Sequence, residues 1–140
     1  MSANYAIQTR EQCKDEALAK GLECFFAEPD ELFLDFDVPN IADRLLLVDQ
    51  ITSALSTHHE ITVLSTLITT SQSGNKHVYI KLSKTLNYFH AICLQAAMGS
   101  DPIREVISVF RDYSALFETE SEVPRVEKWR RSVAAASPEL

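Results

Sequence analysis

The chain has 140 residues, of which 46% are hydrophobic and 24% charged, and its formal net charge is −7. That length predicts one domain over residues 1–140, with a core that needs no disulfide or metal staple. The acidic balance argues against a surface that holds nucleic acid everywhere, although a local basic patch can act within an acidic protein.

No apolar run approaches the roughly 20 residues needed to cross a bilayer, so no membrane partner is expected. Met1 to Arg10 lacks a basic stretch followed by an apolar one, and no signal peptide is read there. Cys13, Cys24 and Cys93 include no Cys-x-x-Cys, which points away from a disulfide framework or zinc site and toward a reducing, cytoplasmic compartment. Cys24 and Cys93 read as small apolar groups packed in the interior.

In chain order, Gln8 to Lys20 reads as an amphipathic helix stopped by Gly21. Leu22 to Ala27 and Glu31 to Phe36 are strand candidates around the turn Glu28-Pro-Asp30, expected to lie side by side. The turn Val38-Pro-Asn40 precedes a helix, with Asn40 as N-cap and Ile41, Leu45, Val48, Ile51 and Leu55 at helical spacing. Glu60 to Thr70 is rich in β-branched residues, and with His77 to Leu82 it predicts a hairpin whose tip is Ser73-Gly74-Asn75. Leu86 to Met98 reads as a helix ending near Gly99. Asp101-Pro102 opens another that runs to about Tyr113. Ala115 to Glu118 is a short closing strand, and Pro124 to Ala136 a last helix before a frayed tail. The fold class expected is α+β: one mainly antiparallel sheet packed against helices.

Two segments carry chemistry. In Leu32-Phe-Leu-Asp-Phe-Asp37, side-chain alternation sets Phe33, Asp35 and Asp37 on one face of a strand. Such acids need water or a cation: either they face solvent, or they bind Mg²⁺ or Mn²⁺ with waters and substrate phosphates completing the shell. In Ser73-Gly-Asn-Lys-His-Val-Tyr-Ile80, the small-residue turn is either a plain hairpin tip or a phosphate cradle to which Ser73, Lys76 and His77 add donors. His77, Tyr79 and Lys81 share a face, so two acids and a histidine could meet on the polar side of one sheet. Trp129, among Arg125, Lys128, Arg130 and Arg131, reads as docked in the core rather than as a base-stacking platform. His58 and His59 read as structural residues at a helix end.

A strand ending in Asp-x-Asp, followed by Ser-Gly-x-x-His and a further strand, resembles the archaeo-eukaryotic primase–polymerase superfamily. The segment from Ala91 to Glu105 also looks like small primase-like proteins of phages and mobile elements. The resemblance covers Glu31 to Glu118 and implies a primase–polymerase-like core acting in DNA replication. It implies that Asp35 and Asp37 hold Mg²⁺ or Mn²⁺, and that Ser73, Lys76 and His77 contact a nucleoside triphosphate. Asp35, Asp37 and His77 are then the catalytic residues. For the third acid that the family carries on a later strand, Glu118 is the candidate, with Asp112 and Asp101 as rivals.

Two functions follow as expectations. One is metal-dependent nucleotidyl transfer by a minimal primase-polymerase, complete or degenerate, with single-stranded nucleic acid as template. The other is a non-catalytic module on the same fold that binds nucleotide, nucleic acid or a protein partner.

Overall fold

The computed structural model describes residues 7–38 and 40–136. Pro39 of the turn before the second helix, the residues before Ile7 and the tail after Ala136 lie outside the described residues. The elements run α1 (Arg10–Ala19), β1 (Glu23–Phe26), β2 (Glu31–Phe36), α2 (Ala42–His59), β3 (Val63–Thr70), β4 (Lys76–Leu82), α3 (Tyr88–Ala97), α4 (Pro102–Val109), β5 (Ala115–Glu118) and α5 (Val123–Ala136). The class is α+β, as expected, but with two small antiparallel sheets where a single one was predicted. One has the order β2-β4-β3 and the other pairs β1 with β5.

The expected pairing of β1 with β2 does not form: β1 runs against β5, with Glu23 opposite Glu118 and Phe26 opposite Ala115. The reason lies on the outer edge of β2. Phe33 and Asp35 turn their N–H and C=O groups away from β4, and all four are taken by other partners. The Phe33 N–H donates to Gln95 Oε1 (2.9 Å) and the Asp35 N–H to Ser100 Oγ (2.9 Å). The Phe33 carbonyl accepts from Arg104 Nη1 (3.0 Å) and the Asp35 carbonyl from the Asp101 N–H (2.7 Å). With its ladder positions filled, β2 has no edge to offer a further strand.

Arg104 then spans the seam between the sheets. Its Nε and Nη2 donate to the Ala115 carbonyl on β5 (3.2 and 3.0 Å), and Nη1 pairs with buried Glu105 at 2.8 Å. Gln95 Nε2 donates to the same Glu105 carboxylate at 2.8 Å, so the polar groups placed between the sheets satisfy one another.

The three-stranded sheet is covered on both sides. Leu32, Leu34, Phe36, Val78, Ile80 and Leu82 pack against α2 and α3 through Val48, Leu55, Ala91 and Met98. On the other face, Phe33 and Tyr79 pack with Phe25, Leu116 and the α5 residues Val126, Trp129 and Val133. Trp129 is docked as read, with its Nε1 donating to Ser65 Oγ at 2.9 Å. Arg130 grips buried Glu31 through Nη2 (2.7 Å) and Nε (3.2 Å), tying α5 to the start of β2.

Several local signals act as expected. Asp101 accepts from the Ile103 N–H, with Pro102 as the first residue of α4. Gly99 takes φ +88° after α3, a conformation open to glycine. α4 is shorter than predicted. It ends at Val109 because Tyr113 is buried with its hydroxyl against Gln8 O (3.0 Å), so the chain must bend before β5. Cys93 is exposed, contrary to the reading above, whereas Cys24 is half-buried with its sulfur 3.8 Å from that of buried Cys13. Burial pushes the Cys24 thiol up to about 12, which leaves it a poor nucleophile.

Candidate functional site

The antiparallel register of β2 and β4 places Asp35 directly opposite His77. Residues opposed in this way project on the same face, so the two side chains meet, and His77 Nε2 lies 3.6 Å from Asp35 Oδ1. Glu118, the last residue of β5, reaches the other side of the ring, with Oε2 3.2 Å from His77 Nδ1. An imidazole from one sheet thus stands between a carboxylate of its own sheet and one of the other.

Glu118 is fully buried and its Oε2 is crowded. Thr69, opposite His77 on β3, donates its hydroxyl at 2.6 Å, and the Tyr79 hydroxyl donates as well. Burial and the Glu118 charge push the Tyr79 phenol far above its ordinary range, so it stays a donor. Among the described residues, Glu118 Oε1 is buried without a hydrogen-bond partner, and so is His77 Nδ1, which is close to Glu118 but outside hydrogen-bond geometry.

Asp35 is the member that reaches solvent, with 28% of its side chain exposed against 6% for His77. Burial raises the Asp35 carboxyl above its ordinary value, opposed by His77 and Arg104 and reinforced by Asp101 and Asp37. Beside it opens a cavity of about 160 Å³, lined among others by Arg104, Arg111, Glu16 and Phe117.

The remaining candidates fall outside this cluster. Asp37 lies just past the end of β2 at Phe36, where the chain bends beside the hairpin turn. Asp37 is exposed, and its Oδ1 accepts from Asn75 Nδ2 at 2.7 Å, linking it to the hairpin turn. Ser73 sits on the exposed turn with Oγ 3.1 Å from Ser71 Oγ, and Lys76 Nζ donates to Thr70 Oγ1 at 2.8 Å. Asp101 serves as the α4 cap, and Asp112 is exposed near Arg10, so neither rival replaces Glu118. The face expected to be polar and open is buried under β5 and α5, which is why His77 is enclosed.

Thr69, Tyr79 and Arg104 were not among the predicted site residues. Tyr79 and His77 share strand parity, and Thr69 is opposite His77 in the hairpin, so the signal for both existed in the register. Arg104 had no comparable signal, since its role depends on where α4 docks.

Among the described residues, no group of three or more His, Cys, Asp or Glu side chains is placed to hold a metal ion. Asp35 and Asp37 both reach solvent, and a carboxylate pair suits a small hard cation that keeps waters and takes substrate phosphate oxygens. No helix among the described residues is long and apolar enough to cross a membrane.

The fold and cluster define an α+β domain with a carboxylate–imidazole–carboxylate array at the seam of two antiparallel sheets. Comparison with family models, with curated proteins and with solved structures finds no match.

Proposed function

We propose that this chain binds a nucleoside triphosphate together with Mg²⁺ or Mn²⁺ on a primase–polymerase-like site, and that nucleotidyl transfer by the isolated domain is weak or absent. One observation carries the reading: Asp35, His77 and Glu118, from three strands of two sheets, converge within 3.6 and 3.2 Å. These are the residues that the resemblance pairs as metal ligand, nucleotide contact and third acid.

In this reading Asp35 and Asp37 hold the cation, which would neutralise phosphate charge and polarise the reacting phosphorus. His77 orients the Asp35 carboxylate, and Glu118, fixed by Thr69 and Tyr79, orients His77. Lys76 and Ser73 supply phosphate donors from the turn.

The burial of His77 and Glu118, 5% and 0% exposed, favours the binding module over the full enzyme. Neither side chain reaches a triphosphate without displacing the structure above it. They therefore act as positioning residues.

Calorimetric titration of a nucleoside triphosphate with Mn²⁺ into the parent and into Asp35→Ala/Asp37→Ala tests the reading, with primer extension run alongside. Binding by the parent alone, with little synthesis, is expected. Equal binding by both proteins, or none by the parent, would remove the site. Robust Asp35-dependent synthesis would establish the complete enzyme instead.

A further inference from the structure

α4 is turned inside out. Its inward stripe is polar: Arg104 spans the two sheets, while Glu105 and Ser108 are buried. Its outward stripe, continued by the C-cap residue Phe110, is apolar, with Ile103 72%, Val106 59%, Ile107 51% and Phe110 70% exposed. Positions 103, 106, 107 and 110 follow the i, i+3, i+4, i+7 spacing that normally marks a core-facing surface. Val109 is also exposed, as is Phe89 on α3, the helix packed against α4.

Inward placement of the polar stripe has a cause already described, because Arg104, Glu105 and Gln95 are needed to fill the edge of β2. Nothing in that duty requires the outward stripe to be apolar. Serine, lysine or glutamate at those positions would leave the β2 seal untouched, and they would avoid exposing a patch of this size.

We propose that the outward face of α4 is a self-association surface, and that two copies of this chain pack stripe on stripe about a two-fold axis. Two properties select a second copy as the occupant. The first is charge. The chain carries −7, so copies repel in general, yet α4 exposes no charged side chain because both of its ionic residues point inward. A neutral patch can face itself with no like-charge cost, and it offers a charged partner nothing to complement.

The second is area. From the exposed fractions, pairing the two stripes removes on the order of 1,000 Å² from water in total, the threshold for a specific interface. The paired apolar residues would form its core, with the polar surroundings as rim. The proposal is independent of the Asp35 cluster, whose residues lie on other elements.

Sedimentation velocity over a range of protein concentrations tests it on the parent, on Ile107→Asp and on Phe110→Asp. Leu18→Asp, a substitution on the exposed face of α1 (75% exposed), serves as control. The parent and the control should form a dimer, and each α4 variant should weaken it at least about tenfold by placing a charge in a dry interface. Circular dichroism and thermal melting should show both α4 variants folded, since the altered side chains are exposed. A parent that stays monomeric throughout would overturn the proposal and leave the stripe to a different partner. So would a dimer that survives both α4 substitutions, or one that Leu18→Asp dissolves equally.

Discussion

Glu118 has no water contact and serves two hydroxyl donors as well as the edge of an imidazole. Removing it would strand Thr69 and Tyr79 in an apolar setting and leave His77 beside a void. Glu118→Ala should therefore cost about 3 kcal/mol of stability, measured by urea titration, with Glu118→Gln costing less because it keeps the shape and one acceptor.

Asp35 behaves in the opposite sense. Its folded-state carboxyl is raised, chiefly by burial. A raised carboxyl contributes stability in its protonated form, and that contribution is lost as pH rises through the folded-state value. Asp35→Asn, which removes the penalty, should raise the melting temperature by a few degrees at pH 7, with a smaller gain as pH falls toward 4. Scanning calorimetry across that interval checks both signs. A gain that grows toward low pH would contradict the assignment. The favourable substitution is also the one expected to abolish cation binding, as when a site keeps a costly group for its function.

Among the elements, β2 and α4 depend on each other. Arg104→Met would leave the Phe33 and Ala115 carbonyls without their donor and Glu105 buried without its cationic partner, at a cost of about 3–5 kcal/mol. Hydrogen exchange should then quicken at the Phe33 and Asp35 amides on the outer edge more than at Leu34, which faces β4. Adding Glu105→Leu to Arg104→Met should recover part of the loss, because it removes the stranded charge. Uniform acceleration along β2, or no recovery in the double variant, would show that the seal is not what holds the edge.

The same interplay explains what could be read from the chain. Alternation and turn residues made β2, the β3–β4 hairpin and β5 legible, and with them the meeting of Asp35 and His77. The division into two sheets was not legible. It depends on Gln95, Ser100 and Arg104, polar residues on or beside helices, reaching a strand edge far away in sequence. Local propensity carries no trace of such long-range bonds.

At the scale of the whole molecule, β2 and β4 are largely buried on both faces, and the acids that reach solvent gather at one end of β2. There β2 runs out at Phe36, Asp37 meets Asn75, and Asp35 looks into a cavity beside Arg104 and Arg111. Asp37 was read as a partner of Asp35 on one strand face from alternation along the strand. The regular strand ends at Phe36, and the Asp37–Asn75 bond keeps both acids at the open end. Trp129 and Arg130 lock α5 onto this body, while Arg125, Lys128 and Arg131 stay exposed along its outer side.

The proposed function stands or falls on a divalent cation binding at the end of β2. The most direct measurement is paramagnetic broadening by substoichiometric Mn²⁺ in a ¹⁵N–¹H correlation spectrum of the full chain, with and without a nucleoside triphosphate. The amides of Asp35, Phe36, Asp37 and Asn75 should broaden first, nucleotide should sharpen this selectivity, and Asp35→Asn should abolish it. Broadening spread over the acidic surface, or centred elsewhere and unchanged in Asp35→Asn, would contradict it.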